Sequence, residues 1–286
     1  MNTGNFRGFE VRIEDPGIVI ITFNEPDRLN GMTMPMKRDL IEIITQAQIE
    51  EDVRVVVFTG SGRAFSAGDD ISGNKAGHLD EPGLVPDTPP AFGSAKNHQL
   101  GTYNGLRTYS QALNLGIRNL DKITIAAING VTIQTGLSLA LCCDFRIAST
   151  EARLGSGTLR FALLPDEGGQ FLLLQHMGLA KTLEFLMRNK IVMADEAKEL
   201  GLVNEVVEPD DLMDATMTLA REFANGPQVA MRLLKRSIYN ASELTFPQAL
   251  DEIASKTALS DPLPDAKEGV SAWKEKRTPV FNKWLE

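Results

Sequence analysis

Cysteine is scarce in this chain of 286 residues, which has two cysteines, adjacent at Cys142 and Cys143. Adjacent thiols in an apolar segment are typical of small core residues in a reducing compartment, and do not indicate a disulfide or a metal site. No apolar run approaches the length that spans a bilayer, and residues 1–10 lack the basic-then-apolar pattern of a signal peptide. We therefore expect a cytoplasmic protein that has no membrane partner and binds no metal.

Basic residues are fewer than acidic residues. The chain has 29 lysine and arginine residues against 38 aspartate and glutamate residues, which gives a formal net charge of −9. This balance argues against a nucleic-acid partner, because the phosphate backbone is bound mainly by lysine and arginine. An anionic ligand would have to be bound by local features. The 43% of hydrophobic residues can form a large core, and the length fits one large domain or one domain with an appendage.

The stretch from Ile123 to Gly169 is the most informative part of the chain. An apolar run turns at Asn129 and Gly130, and a second tight turn at 134–136 leads into residues 137–143, which are apolar on every side. Such a segment indicates a buried helix. A buried helix that begins at a glycine turn presents free N–H groups and the positive end of its dipole, which suit an oxyanion. A plain core helix is the alternative, and this stretch taken alone favours it.

The sequence pattern predicts both strands and helices up to residue 207 and helices alone beyond it. Strand-like runs are predicted at residues 9–13, 17–23, 53–59 and 202–207. Helices are predicted after Thr33 and at residues 103–120, 169–178, 181–188, 194–200, 212–224, 228–239 and 246–259, with a last helix to about 276. Residues 72–105 are rich in glycine, proline and asparagine, and a loop of this length is typical of a lid or a mobile insertion. We divide the chain into a core, 1–207, and a helical region, 208–286.

Four motifs occur in order along the chain. They are Asn24–Asn30 (NEPDRLN), Gly60–Ile71 (GSGRAFSAGDDI), Ala127–Asp144 (beginning AING and ending CD) and Leu164–Gly169 (LPDEGG). A tail signature follows at Glu268–Phe281. Each motif alone is weak, but in this order and spacing they specifically resemble the crotonase (enoyl-CoA hydratase/isomerase) superfamily over nearly the whole chain.

The resemblance implies an α/β fold, a spiral of ββα turns, with C-terminal helices that assemble a homotrimer or a dimer of trimers. It also implies an acyl-CoA substrate, so that coenzyme A is part of the thioester and no separate cofactor is expected. Members of the superfamily hold the thioester oxygen between two backbone N–H groups, which stabilise an enolate-like anion without reorganising. Position by position, these donors would be the N–H groups of Asp69 and Thr135. Family members mostly carry glycine or alanine where Thr135 stands, and its branched side chain can narrow the pocket.

The two glutamates that hydratases of the superfamily use are missing. Their positions hold Ser138 and Thr158, and neither hydroxyl has a nearby base evident in the sequence. Because addition of water needs a group that both takes and gives a proton, the sequence disfavours ordinary hydration. Asp166, directly after Pro165, is the remaining candidate, since an acid at this position moves a proton between carbons in several isomerases of the superfamily.

A single carboxylate suffices for such an isomerisation. Apolar surroundings would raise the basicity of Asp166. The apolar side chains near it in sequence are Phe161, Leu163, Leu164 and Phe171. The competing interpretation makes Asp166 the N-cap of the next helix. Glu167 is the rival acid, which we interpret as a solvated residue of the first helical turn, and His176 is interpreted as structural.

Substrate-binding residues follow from the same resemblance. Arg28, with Leu29 beside it, matches a position near the nucleotide phosphates. The groove for adenine and pantetheine would be formed by Ala67, Gly68, Asp70 and Ile71. Further substrate contacts are expected at Gly136, Ser138 and Thr158. Lys276, with Arg277, would add positive charge from a neighbouring subunit. The alternatives are surface charge for the basic residues and turn structure for the others.

Three functions stay open at this point. The favoured one is an enoyl-CoA isomerase that uses Asp166. The second is a hydratase, or a hydrolase of thioesters or carbon–carbon bonds, in the same superfamily. The third is a non-catalytic relative that binds acyl-CoA or RNA, although the segment from Arg38 to Asp52 is acidic where RNA binding would require a basic helix.

Overall fold

The computed structural model describes residues 1–70, 83–85 and 99–285. The expected loop at 72–105 lies mostly outside the described residues, as does Ile71, one of the expected groove residues. The end of that range is described and is helical from Gln99 to Gly105.

The described chain alternates short strands and helices up to Val207. The strands are β1 Gly4–Phe6, β2 Phe9–Glu14, β3 Ile18–Phe23, β4 Val55–Gly60, β5 Ala64–Ser66, β6 Ile123–Ile128, β7 Val131–Ile133, β8 Phe145–Ser149, β9 Arg153–Gly155, β10 Ile191–Met193 and β11 Glu205–Val207. The helices are α1 Met34–Ile49, α2 Gln99–Gly105, α3 Gln111–Asn119, α4 Thr135–Cys142, α5 Gly169–Met177, α6 Leu179–Met187, α7 Ala194–Glu199, α8 Leu212–Ala224, α9 Gln228–Ala241, α10 Phe246–Ser260 and α11 Pro264–Glu275.

The strands form two sheets. The seven-stranded sheet has the order β1-β2-β3-β4-β6-β8-β11, and β3 to β11 run parallel in it. The four-stranded sheet has the order β10-β9-β7-β5, in which β5, β7 and β9 run parallel. Three successive turns of the chain each place one strand in the large sheet and the next in the small sheet: β4 then β5, β6 then β7, and β8 then β9. The expected α/β spiral is confirmed.

The core lies on both faces of the large sheet. Strands β3, β4 and β6 are almost wholly buried, which explains their continuous runs of valine and isoleucine, since a strand covered on both faces has no polar side. One cluster of buried residues fills the space between the two sheets, α1 and α4. A second cluster, which includes Leu212, Met217 and Ala220, packs α8 on the other face. The core is therefore a layered packing with α4 inside it.

Several predicted boundaries differ from the observed ones. The single helix expected at 103–120 is divided, because a π-helical turn at Leu106–Ser110 separates α2 from α3. The last strand begins at Glu205, and the N-terminal strand β1 was not predicted. After Val207 the described chain is helical, while its division at residue 207 into a core and an oligomerisation region stays a prediction. Within the described ranges, the helices are too short or too polar to cross a membrane.

Candidate active site

The site forms where two parallel strands of the small sheet end. Strand β5 pairs with β7 in parallel, so the segments that follow them, 67–70 and 134–136, lie side by side. A Cβ atom added to Gly68, whose φ is +98°, would lie 2.9 Å from the Cβ of Gln134. A Cβ atom on Gly136 would lie 2.3 Å from the Ser66 carbonyl oxygen. Both glycines therefore permit a backbone approach that a larger residue would prevent.

The predicted oxyanion donors are located in these two segments. Thr135 is the first residue of α4, where backbone N–H groups have no acceptor within the helix. On the other segment, Met32 donates to the Gly68 carbonyl at 2.9 Å and accepts from the Asp70 N–H at 3.0 Å, which leaves the Asp69 N–H outside this pair. Among the described residues, neither the Asp69 nor the Thr135 N–H has an acceptor. Neither amide is thus committed to a hydrogen bond within the described chain, although Thr135 is fully buried.

The side chains of Asp69 and Thr135 contact each other. The Thr135 hydroxyl lies 2.6 Å from Asp69 Oδ1 and 2.5 Å from Glu167 Oε1. Lys37 Nζ, on α1, donates to Asp69 Oδ1 at 2.6 Å and to the Ser110 hydroxyl at 2.7 Å. The Lys37 side chain is completely buried. We call Lys37, Asp69, Thr135 and Glu167 the carboxyl–hydroxyl cluster.

Glu167 is buried, and its interpretation as a solvated helix residue is wrong. It is 5% exposed, because α3 holds the loop before α5 against the start of α4. Asn114 donates to the Glu167 carbonyl at 3.1 Å, and Gln111 donates to the Asp166 carbonyl at 2.9 Å. Burial raises the pKa of Glu167, which the bond from Thr135 partly offsets. Glu167 Oε2 is buried and has no partner among the described residues.

Asp166 does not cap the next helix. Helix α5 begins at Gly169, and its N-cap is Gly168, with φ 102° and no capping bond from a side chain. The capping interpretation of Asp166 is therefore wrong. Asp166 is half-buried, and burial raises the pKa of its carboxyl group. A carboxylate with raised basicity that faces a cavity can act as a general base.

A cavity of about 430 Å³ lies beside the cluster. Among its lining residues are seven that the sequence predicted for the site: Arg28, Ala67, Gly68, Asp69, Asp70, Thr158 and Asp166. Glu167 lines it as well, and so do Phe161, Leu163 and Leu164 from the expected apolar surroundings, whereas Phe171 does not. The cavity thus combines four residues that carry carboxyl groups, an apolar wall and a glycine-lined rim.

Other predicted residues lie elsewhere. Ser138 faces a void of about 10 Å³ between α4 and Pro165, too small for a substrate. Gly136 packs on Ser66, and Leu29 is outside the lining, although its carbonyl accepts from the Ala67 N–H at 2.9 Å. Lys276 ends α11 and is also outside the lining of this cavity. The guanidinium group of Arg28 is bonded to the Asp70 carboxylate, which a phosphate group would have to displace.

A larger cavity, of about 540 Å³, lies between α4, α5, α8 and α9 and shares no lining residue with the first. Its polar groups are paired with each other: Lys235 Nζ and the Tyr239 hydroxyl both donate to Asp144, at 2.7 Å and 2.8 Å. Burial lowers the pKa of His176, which also lines it, to about 4, so the imidazole is neutral at physiological pH. The smaller cavity is the better candidate for the chemistry, because Asp69 and two carboxyl groups of raised pKa, those of Asp166 and Glu167, line it. Thr135 is outside its lining and contacts it through Asp69.

Sequence reasoning missed Lys37 and the burial of Glu167. A signal existed for Lys37: it precedes Leu40 and Ile44 by three and seven residues, the spacing of one helix face, so a lysine stood on the apolar side of α1. A buried lysine requires a partner of opposite charge, which pointed to a carboxylate at the end of a core strand. The sequence has no comparable signal for Glu167.

Comparisons with known proteins identify a family for nearly the whole chain. The model of the enoyl-CoA hydratase/isomerase family matches residues 14–84 and 92–284. A 1,2-epoxyphenylacetyl-CoA isomerase of Escherichia coli is 31% identical over 267 residues, 93% of this chain and 95% of the relative. A short-chain-enoyl-CoA hydratase of Clostridium acetobutylicum is 30% identical over 266 residues, 91% of this chain and 92% of the relative.

The solved structures give the same result. The crystal structure of an enoyl-CoA hydratase from Bacillus anthracis superposes with a TM-score of 0.84 at 29% identity, and the match covers 96% of this chain and 98% of the other. Since the family match extends over nearly the whole chain and includes every segment that forms the cavity, the protein belongs to the enoyl-CoA hydratase/isomerase family of acyl-CoA-processing enzymes.

Proposed function

We propose that this protein moves the double bond of an unsaturated acyl-CoA and that Asp166 transfers the proton. The observation that carries the proposal is that Asp166 lines the same cavity as Asp69, with a pKa raised by burial. The carboxylate takes a proton from one carbon of the acyl chain, and the electron pair moves into the thioester to give an enolate. The same carboxyl group then returns the proton at another carbon, so no net charge or atom is gained.

The enolate oxygen binds between the N–H groups of Asp69 and Thr135. Support comes from the position of Thr135 at the start of α4 and from the direct contact between the two side chains. Fixed N–H dipoles stabilise developing charge without reorganisation, and removal of one such donor typically costs about 3 kcal/mol of transition-state stabilisation. The amides thus lower the barrier for a proton removal that a carboxylate alone would perform slowly.

The coenzyme A part of the substrate extends along the rim formed by Arg28, Ala67, Gly68 and Asp70. Arg28 provides the positive charge for a phosphate group once it leaves Asp70. Lys276 joins from a neighbouring subunit in a homotrimer or a dimer of trimers. The free, buried thiols of Cys142 and Cys143 support a reducing compartment such as the cytoplasm.

The decisive variant is Asp166→Asn, which keeps the shape of the side chain and removes the base. We expect the rate of double-bond migration over a panel of unsaturated acyl-CoA thioesters to fall about 10²-fold or more. The exposed Asp210→Asn serves as the matched control and should leave the rate unchanged. In the unaltered enzyme kcat should fall as the pH drops through the raised pKa of Asp166, because the base must be ionised. An Asp166→Asn enzyme with the full rate would refute the proposal.

Hydration or hydrolysis is the second candidate, and one observation favours it. Asp166 and Glu167, two of the four residues with carboxyl groups that line the cavity, both have a raised pKa, so a water molecule there has both a proton acceptor and a proton donor. Turnover in water that carries an oxygen isotope label separates the two functions. Isomerisation leaves the label out of the oxygen atoms of the product, whereas hydration or hydrolysis incorporates it.

A further inference from the structure

The carboxyl–hydroxyl cluster contains more short contacts than its hydroxyl proton can satisfy. The Thr135 oxygen lies 2.6 Å from Asp69 Oδ1 and 2.5 Å from Glu167 Oε1. Oxygen atoms approach this closely when a hydrogen lies between them. A hydroxyl group has one hydrogen to donate, and an ionised carboxylate has none. One of the two carboxyl groups must therefore carry a second proton.

The surroundings decide which carboxyl group is protonated. Asp69 Oδ1 also accepts from the Lys37 ammonium group, and the Asp69 side chain is 39% exposed, so its negative charge is both paired and solvated. The buried Glu167 has no cation within bonding distance among the described residues. The charges that act on it are negative, Asp69 and Asp166, and its remaining contact is the Gln134 amide at 3.4 Å. The proton therefore belongs on Glu167.

We propose that Glu167 is a positioning residue that works as a neutral carboxylic acid and holds the two oxyanion-hole residues together. Glu167 donates from Oε1 to the Thr135 hydroxyl, and the Thr135 hydroxyl donates to Asp69 Oδ1. The chain of bonds ends at Lys37. This inference rests on the proposed function, because it takes Asp69 and Thr135 to be the two residues of the oxyanion hole. The role depends on the hydroxyl of Thr135, which is absent where family members carry glycine or alanine.

The arrangement explains how a carboxylate can stand beside an oxyanion. The charge of Asp69 would oppose an enolate bound at its own N–H group, but Lys37 forms an ion pair with Asp69 and neutralises that charge. Glu167 adds no charge while it is protonated. Its Oε2 atom, buried without a partner among the described residues, is then a neutral carbonyl oxygen, which is less costly to leave unpaired than an ionised carboxylate oxygen.

The proposal predicts an upper pH limit for the reaction. When Glu167 ionises, two carboxylates face one hydroxyl, and one of the two short contacts must break. Burial raises the pKa of Glu167, and the neutral form exists below that raised pKa. We therefore expect kcat to fall as the pH rises through it. Asp166 must be ionised and Glu167 neutral, so the kcat profile is bell-shaped, with Asp166 on the acidic limb and Glu167 on the alkaline limb.

The first test compares Glu167→Ala with Glu167→Gln. The alanine variant removes the hydrogen bonds of Glu167 to Thr135 and Gln134. It should lower kcat about tenfold, with little change in KM. The glutamine variant has a donor and an acceptor but no ionisable proton. It should recover most of the lost kcat and lose the alkaline limb. A glutamine variant as inactive as the alanine variant would show that hydrogen bonding by a neutral side chain is not sufficient, and would overturn the proposal.

Thr135 allows a matched pair of substitutions. Thr135→Val keeps the branched shape and lacks the hydroxyl, whereas Thr135→Ser keeps the hydroxyl and lacks the methyl group. We expect the valine variant to lose kcat as Glu167→Ala does and the serine variant to lose much less. Equal losses in the two variants would mean that shape, and not the hydroxyl bridge, is what matters, and would overturn the proposal.

An infrared measurement tests the proton directly, without turnover. In an Asp166→Asn background at neutral pH, the spectrum should contain a carboxylic-acid C=O stretch that disappears when Glu167→Gln is added. Absence of that band overturns the inference. Because the band does not depend on activity, it separates the two proposals: an active Asp166→Asn enzyme would refute the isomerase mechanism even if the band is present.

Discussion

Two adjacent residues of the LPDEGG motif have different surroundings. Asp166 is half-buried and has no side-chain partner among the described residues, whereas Glu167 is enclosed and bonded to Thr135. Their carboxyl groups therefore have different roles, although a single peptide bond joins the two residues. The same contrast holds for the ion pair of the cluster, in which the Lys37 side chain is wholly buried and the Asp69 side chain is 39% exposed.

This asymmetry predicts unequal costs when either partner of the ion pair is removed. Asp69→Ala leaves a buried ammonium group with the Ser110 hydroxyl alone, which should cost about 3 kcal/mol of unfolding free energy. Lys37→Met replaces the buried charge by an apolar side chain of similar length, and Asp69 can be hydrated. We expect its cost to stay below about 1 kcal/mol. Denaturant unfolding of both variants measures the difference, and equal costs would contradict the asymmetry.

At the scale of elements, the site depends on how closely α4 approaches β5. Helix α4 is buried on all sides and begins directly against Ser66, the last residue of β5. The turn before it contains a residue with a positive φ, Gln134, at 56°. The position of the Thr135 amide is thus set by the contact between the helix start and the strand end. Any residue that pushes the two elements apart also moves the amide.

Gly136→Ala tests this contact. The added methyl group would lie 2.3 Å from the Ser66 carbonyl oxygen, so α4 must shift. We expect a loss of about 1–3 kcal/mol of stability and, since a displacement of about 1 Å can cost 10²-fold, a similar loss of kcat. Thermal unfolding and the isomerisation assay measure both effects.

The matched control for Gly136→Ala is Gly105→Ala at the end of α2. A methyl group there would meet no atom within 4 Å, and the residue has helical φ and ψ. Its effect on stability should be neutral or favourable by up to about 1 kcal/mol. If the two variants behave alike, the approach of α4 to β5 does not position the amide.

At the scale of the whole molecule, the C-terminal helices present apolar side chains to solvent. The exposed large apolar residues of α10 and α11 are Phe246, Leu250, Leu259, Val270 and Trp273. Trp273 is 80% exposed. Clustered exposed apolar side chains of this kind mark interaction surfaces more often than single ones do. They support the proposed homotrimer or dimer of trimers.

Sedimentation of the full chain should therefore give three or six times the mass of one chain. Trp273→Ser should weaken the assembly, because it removes a large apolar contact from the interface. Ile49→Ser, an exposed apolar residue at the end of α1, is the matched control and should leave the mass unchanged. An unaltered protein that sediments as a single chain, or an assembly insensitive to Trp273→Ser, would exclude α11 from the interface.

Local pattern was sufficient for most of the fold. The buried strands β3 and β4 were predicted from strand-like runs in the sequence, and α8 occupies the predicted residues 212–224. The helix at 103–120 was predicted as continuous because its spacing is helical throughout, and a π-helical turn changes the hydrogen-bond pattern without changing that spacing greatly. The order of the four motifs was enough to indicate the family, which the family model then confirmed.

Some residues of the site could be predicted from the sequence, and others only from the tertiary structure. Asp69, Thr135 and Asp166 were predicted from the motifs. Asp69 and Asp166 line one cavity, and Thr135, which is outside its lining, contacts Asp69. The state of Glu167 was decided by the tertiary structure alone. Neighbouring residues of a loop become exposed or buried according to which elements pack over them, and here α3, far away in the sequence, holds the loop against α4. Burial, and with it the proton on Glu167, is a property of that packing.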